Sequence, residues 1–196
     1  MDDKRLGVSV LGELEVSVDG CAVDVGGPQN RVLVAGLAVD ANKVVATDDL
    51  ARLIWGSSPV DASIRVAKAV YRLRAALPED ARDVIGTSPA GYILHLDPSR
   101  YDATRFTGLL RAAQDDLRSA ANRPALEKLD AALELWRGDA FADVGGRETL
   151  KVEGDRLDEL RLVAIEDRLE AKVRLRQHKE AIEELQIGRA SCRERV

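Results

Sequence analysis

The clearest hydrophobic pattern in the chain runs from Ala62 to Leu77. Four apolar residues recur there at intervals of four, three and four, and a helix that turns about 100° per residue gathers them on one face. These residues are Val66, Val70, Leu73 and Leu77. The pattern predicts a helix that buries this face in a core and exposes the opposite one.

Shorter patterns predict a small sheet and two more helices before this one. Three β-prone runs lie within residues 7–25, and the Asp-Gly pair at residues 19–20 is a common hairpin turn. Pro28 suits the first turn of a helix, and Thr47 is expected to be the N-cap of a second helix that Gly56 ends. Apolar and polar residues alternate on both sides of residues 89–91, which predicts another hairpin. This order is that of a winged helix-turn-helix preceded by a small antiparallel sheet.

The second half of the chain has a helical composition. From Tyr101 onward Ala, Leu, Arg and Glu dominate. Asp102 is expected to cap one helix, Pro124 to open another that reaches Trp136, and longer patterns to follow at about residues 147–176 and 178–185, the first of them weakened by Gly154. Antiparallel helix pairs are typical of tetratricopeptide-like repeats. The predicted fold class is an α+β winged helix-turn-helix with a small N-terminal antiparallel sheet, followed by an all-α tetratricopeptide-like domain.

Composition argues against several classes of function. The chain has 196 residues, of which 45% are hydrophobic, and no apolar run approaches the roughly 18 residues that a membrane helix needs. Two cysteines and two histidines cannot supply a disulfide framework or a regularly spaced zinc site. The sequence contains no phosphate-binding loop, dinucleotide fingerprint or serine-nucleophile motif. We therefore predict a protein that is not an enzyme and that needs no metal or cofactor.

The helix at residues 62–77 is basic although the chain is acidic. The net charge is −5, and residues 1–98 hold ten basic against fourteen acidic residues, which argues against nucleic-acid binding. Between residues 62 and 78, however, there are four cations and no carboxylate. Phosphate attraction depends on charge within a Debye length of roughly 8–10 Å, so the local excess matters more. Such a face suits the major groove, although most charged helix faces are only solvated.

Three stretches of the first half carry a family resemblance. They read RVLVAGLAVDANKVVATDDLARLIWG from Arg31, YRLRAAL at residues 71–77 and PAGYIL at residues 89–94. These stretches resemble the OmpR/PhoB-type winged helix of the Streptomyces antibiotic regulatory protein family. In that family the third helix enters the major groove and the wing touches neighbouring backbone. The resemblance implies DNA contacts by Arg65, Lys68, Tyr71, Arg72, Arg74 and Arg31. Arg74 has the alternative role of bracing the helix.

Other positions weaken or complicate this resemblance. Gln29 and Asn30 stand where a Lys-Gln pair is expected, and Ser88 stands where the wing often carries an arginine. Each departure removes an expected phosphate contact. Trp55 ends an apolar helix, so we expect it to lie in the core rather than to stack on a base.

Three stretches of the second half carry a further resemblance. They read YDATRF from Tyr101, LELWRGDAFADV from Leu133 and RLDELRLVAIEDRLEA from Arg156. These stretches resemble the bacterial transcriptional activation domain that follows the winged helix in the same family. Trp136 and Arg137 are expected to pack the corner after a helix. We predict a winged-helix DNA-binding domain at residues 1–98 and a truncated tetratricopeptide-like activation domain at residues 99–186.

The last ten residues form a separate segment. IGRASCRERV, at residues 187–196, reads like the translation of a common sequencing adapter in one frame. We therefore expect the natural sequence to break off near Gln186. Members of the resembled family can carry an ATPase or phosphopeptide-binding domain beyond such a point.

Two functions follow from these observations. The resemblance implies a cytoplasmic, nucleoid-associated transcriptional activator of a secondary-metabolite (antibiotic) gene cluster. It would bind direct repeats in double-stranded DNA as a homodimer, recruit RNA polymerase and have no association with membranes. The alternative is a protein-interaction module whose helical repeats bind a protein partner and whose winged helix no longer reads DNA. The uninterrupted basic face of Arg65, Lys68 and Arg72 favours DNA binding.

Overall fold

The computed structural model describes residues 6–179, which form two compact units. The first unit contains the described chain up to Arg105 together with Trp136–Asp158. The second contains Phe106–Leu135 and the described residues from Glu159 onward. Most of the helix expected at residues 178–185, and all of residues 187–196, lie outside the described residues. The domain boundaries expected at residues 98 and 186 stay predictions.

A three-stranded antiparallel sheet opens the first unit. It contains β1 (Leu6–Ser9), β2 (Glu15–Val18) and β3 (Cys21–Ala22), in the order β1-β2-β3. Val8 of β1 lies opposite Val16 of β2, and both side chains are buried. The turn between β2 and β3 has positive φ at Asp19 (52°) and Gly20 (82°), which is the conformation of a two-residue hairpin turn. The predicted sheet and turn are therefore confirmed.

Three helices follow, namely α1 (Pro28–Val39), α2 (Thr47–Trp55) and α3 (Ala62–Ala76). The apolar stripe predicted for α3 is buried throughout. Gly56 ends α2 in a left-handed conformation, with φ 77°. The prediction that Thr47 is an N-cap was wrong. Strand β4 (Val44–Ala46) runs directly into α2, so Thr47 is already helical and Ala46 holds the cap position without a side-chain hydrogen bond.

The wing is a hairpin of β5 (Ile85–Ser88) and β6 (Gly91–Leu94). A 3-10 segment at Glu79–Val84 leads into it from α3. Strand β4 pairs with β6, so the sheet order is β4-β6-β5. A Cβ atom at Gly91 would lie 1.9 Å from the carbonyl oxygen of Val45, so the close approach of these strands requires glycine there.

The rest of the described chain is helical and contains α4 (Asp102–Arg118), α5 (Asn122–Leu133) and α6 (Glu148–Arg174). Together with the winged arrangement, these helices confirm the predicted fold class. Helix α5 ends three residues before Trp136, earlier than predicted, whereas α6 passes through Gly154 without a break. In the second unit, Leu117, Ala125, Leu126 and Ala171 form a buried cluster. None of the described helices is long and apolar enough to cross a membrane.

From Trp136 onward, the corner segment between α5 and α6 belongs to the first unit. The backbone N–H of Arg137 donates to the carbonyl of Leu11 at 2.7 Å, and that of Phe141 donates to the carbonyl of Val10 at 2.8 Å. Trp136 is buried. The expectation that Trp136 and Arg137 pack a corner is therefore confirmed.

Candidate nucleic-acid interface

Helix α3 presents its basic side to solvent. Ile64, Arg65, Lys68, Tyr71 and Arg72 are all exposed, Ile64 by 58% and Tyr71 by 73%. These five residues are called the outer face of α3 below. The buried stripe on the other side fixes the rotation of the helix, so the outer face is held towards solvent by core packing rather than by its own contacts.

Four of these side chains line one shallow depression of about 270 Å³ together with Trp55. The four are Arg65, Lys68, Tyr71 and Arg72. Trp55 is half-buried rather than a core residue, so the expectation of a core role was wrong. The turn at Gly56 ends α2 at this point and leaves the indole beside α3. Two aromatic rings and three cations therefore border one concave surface.

An acidic residue that lies just outside the predicted basic stretch contacts this surface. Nε of Arg65 donates to Oδ2 of Asp61 at 2.9 Å. This hydrogen bond is the main cause that lowers the pKa of the Asp61 carboxyl. Asp61 immediately precedes α3, so the count of charges from residue 62 missed it. Its spacing of four residues from Arg65 was the available signal.

Arg72 contacts one of the residues that depart from the family pattern. Its Nη2 atom lies 3.4 Å from Oε1 of Gln29, at the start of α1. Gln29 therefore stands beside the outer face of α3, but it adds an uncharged amide where a lysine was expected.

Arg74 points away from the outer face and towards the wing. It is half-buried, and its Nε and Nη2 atoms donate to the carbonyl oxygen of Ile85 at 3.1 and 2.5 Å. Nη2 also donates to Oγ1 of Thr87 at 2.9 Å. This geometry fits the bracing role that the sequence left open for Arg74, and the DNA contact stays a prediction.

Arg31 is held within the first unit. Its Nε atom donates to Oδ2 of Asp143 at 2.6 Å, and its Nη2 atom donates to the carbonyl of Leu14 at 2.7 Å. Oδ1 of Asp143 accepts from the N–H of Leu14 at 2.7 Å, which closes a ring of three residues. Arg31 is not among the residues that line the depression beside Trp55.

A buried carboxylate, Asp102, lies in the same unit. Asp102, at 5% exposure, accepts from the N–H groups of Val10 at 2.9 Å and Leu11 at 3.0 Å. The sequence had assigned it only a capping role. Burial raises the pKa of this carboxyl, while these N–H groups and the nearby Arg137 act in the opposite direction. We call Arg31, Asp102, Arg137 and Asp143 the corner network.

The tip of the wing carries no charge. Ser88, Pro89 and Ala90 form it, and Oγ of Ser88 accepts from the N–H of Ala90 at 3.4 Å. Among the residues that the structure describes, no cluster of His, Cys, Asp or Glu could hold a metal ion. The chemistry that this part of the molecule offers is therefore cationic and aromatic, and it is concentrated on α3 and Trp55.

Three helices followed by a hairpin, with a basic outer face on the third helix, define a winged-helix protein. The bacterial transcriptional activator domain matches residues 101–195. The regulatory protein DnrI of Streptomyces peucetius is 31% identical over 191 residues, which cover 91% of this chain and 69% of DnrI. This chain belongs to the Streptomyces antibiotic regulatory protein family.

Two other relatives agree with this assignment. The transcriptional regulator RedD of Streptomyces coelicolor is 31% identical over 84% of this chain and 48% of its own length. The structure of Mycobacterium tuberculosis EmbR in complex with a low-affinity phosphopeptide has a TM-score of 0.87 and 28% identity, over 94% of this chain and 50% of that one. These relatives are named as regulators, not as enzymes. The chain spans about half the length of RedD and of EmbR.

Proposed function

We propose that this chain is a DNA-binding transcriptional activator whose third helix enters the major groove. The observation that carries the proposal is the outer face of α3, where three cations and an exposed tyrosine share one depression with Trp55. An α-helix fits the major groove, and cations on its surface neutralise phosphates. Family membership supports a role in transcription regulation independently of this geometry.

The residues of the depression have different chemical roles in this proposal. Arg65 and Arg72 are fork-shaped donors that suit phosphate oxygens or the O6 and N7 atoms of guanine. Lys68 adds a third cation between them. The rings of Tyr71 and Trp55 pack against deoxyribose and base edges. Arg65 exchanges its present partner, Asp61, for DNA.

The biological setting is the less direct part of the proposal. We propose that two copies bind direct repeats head to tail, that the helical half helps to hold RNA polymerase, and that the target is a secondary-metabolite gene cluster. Membership in the Streptomyces antibiotic regulatory protein family supports these points. Of the whole proposal, only DNA binding by the outer face of α3 is supported by individual side chains of this chain.

The proposal is tested with an Arg65→Ala, Arg72→Ala double variant. Binding of the parent and of the variant to a duplex from the upstream region of its own gene cluster is measured across a salt series. For the parent, log affinity should fall with log salt at a slope of about −0.9 per neutralised phosphate. The double variant should bind more weakly, with a slope shallower by about 1.8 if both arginines contact phosphates.

A matched control removes two exposed arginines from a helix in the second unit. Arg111→Ala with Arg118→Ala causes the same change in charge, and Arg118 is paired with Asp115 much as Arg65 is paired with Asp61. This control should bind DNA like the parent. If the parent fails to bind at low salt, or the two double variants behave alike, α3 is not the reader. The search would then move to protein partners of the helical half.

A further inference from the structure

Arg74 connects the end of α3 to the wing. It lies in the last turn of the helix, and its guanidinium makes three hydrogen bonds to β5, two to the carbonyl of Ile85 and one to the hydroxyl of Thr87. Thr87 is one residue from the tip of the wing. A single side chain therefore ties the strand that carries the tip to the helix that carries the basic outer face.

This arginine cannot offer its Nε and Nη2 atoms to a phosphate without breaking those bonds. The guanidinium has five N–H donors in a rigid plane, so Nε and Nη2 cannot stay on β5 while the same edge turns towards DNA. Moving it would also leave the half-buried carbonyl of Ile85 without this donor, and a buried acceptor that loses its partner costs free energy.

Because the tip of the wing is uncharged, contacts within the protein, rather than attraction to DNA, must set the position of the wing. An arginine at the tip would be drawn to the DNA backbone, but Ser88, Pro89 and Ala90 provide no such attraction. The distance and angle between the wing and α3 must therefore be set by contacts within the fold. The bonds from Arg74 are contacts of that kind.

We propose that Arg74 is a positioning residue that fixes the wing relative to α3, and that it does not itself contact DNA. The consequence for DNA binding rests on the proposed function above. The tie between α3 and the wing does not, so it is tested first without DNA.

The first experiment is hydrogen exchange on the free protein. Arg74→Met keeps the length of the side chain and removes every donor, and Arg72→Met makes the same change two residues earlier, on the outer face. Amides of residues 85–94 should exchange about tenfold faster in Arg74→Met than in the parent, because a hydrogen bond to a charged group that held them is lost. Amides of α1 and of β1–β3 should be unchanged. Arg72→Met should leave the wing amides as they are.

A milder variant guards against general unfolding. Thr87→Val removes one of the three bonds, keeps Arg74 and leaves the charge unchanged. It should accelerate exchange in the wing in the same direction and by a smaller factor. Equal acceleration throughout the first unit in both variants would assign Arg74 a general role in stability and overturn the proposal.

The second experiment measures DNA affinity across a salt series for the same variants. Arg74→Met should bind more weakly with the parent's slope, whereas Arg72→Met should have a slope shallower by about 0.9. A slope shallower by that amount in Arg74→Met, together with unchanged exchange in the wing, would make Arg74 a phosphate contact and overturn the proposal. If the parent does not bind DNA, the proposed function fails, and the exchange experiment alone decides whether Arg74 holds the wing.

Discussion

The outer face of α3 and the corner network lie in the same unit and use their arginines in different ways. Arg65 is 51% exposed and bonds to Asp61, a side chain that is itself 49% exposed. Arg31 and Arg137 are only 29% and 33% exposed, and each also donates to a backbone carbonyl, of Leu14 and Glu13 respectively. The acceptor distinguishes the two groups. An arginine bound to a backbone carbonyl elsewhere in the chain holds the fold, and one bound only to an exposed carboxylate can change partners.

The energetic consequences differ in the same way. An exposed ion pair is worth little, because water and salt screen it. Removing one member of a partly buried network leaves polar groups without partners, and that loss is larger. Variants in the corner network should therefore change stability, and variants on the outer face should change DNA affinity.

The largest effect is expected for Asp102→Ala. The substitution leaves the buried N–H groups of Val10 and Leu11 without their acceptor, so the free energy of unfolding should fall by about 3 kcal/mol. Chemical denaturation followed by circular dichroism measures this. Asp102→Asn keeps one acceptor oxygen and should lose less. A loss as small as that of an exposed aspartate variant, such as Asp115→Ala, would show that the corner network does not hold the fold.

The next effect is expected for Arg31, and it decides between the two uses of arginine. Arg31→Met should lower the free energy of unfolding by about 1–2 kcal/mol, because the bonds to Asp143 and to the carbonyl of Leu14 are lost. Any DNA binding by the folded protein should keep the parent's salt slope.

A double-mutant cycle with Asp143→Asn supplies the control. The double variant should be less destabilised than the sum of the two single variants, since both remove one contact. A shallower salt slope for Arg31→Met, with unchanged stability, would instead make Arg31 the DNA contact that the sequence resemblance implied. The distinction between the outer face of α3 and the corner network would then fail for this residue.

Local patterns predicted the fold and one part of the site. The spacing of Val66, Val70 and Leu73 determined which side of α3 is buried, and therefore that Arg65, Lys68 and Arg72 lie together on the other side. The corner network could not be predicted in this way. Asp102 bonds to residues about 90 positions earlier, and Asp143 to one 129 positions earlier, so no local period connects them. Trp55 was misplaced because its own helix is apolar, whereas its exposure depends on the turn at Gly56 and on α3.

The smallest effect is expected for Asp61→Asn, which removes the one carboxylate that contacts the outer face of α3 among the contacts the structure describes. The pair with Arg65 joins two exposed side chains, so stability should hardly change. DNA affinity should rise by about two- to fivefold, because Arg65 no longer gives up a charged partner and phosphate no longer meets a negative charge beside it. Asp49→Asn is the matched control, since Asp49 pairs with Arg52 on α2 at similar exposure and neither residue lines the depression. It should leave affinity unchanged. A fall in affinity for Asp61→Asn would mean that Asp61 orients Arg65 for DNA instead of competing with it. An arginine of the outer face would then be held in place by a partner within the protein, as the arginines of the corner network are.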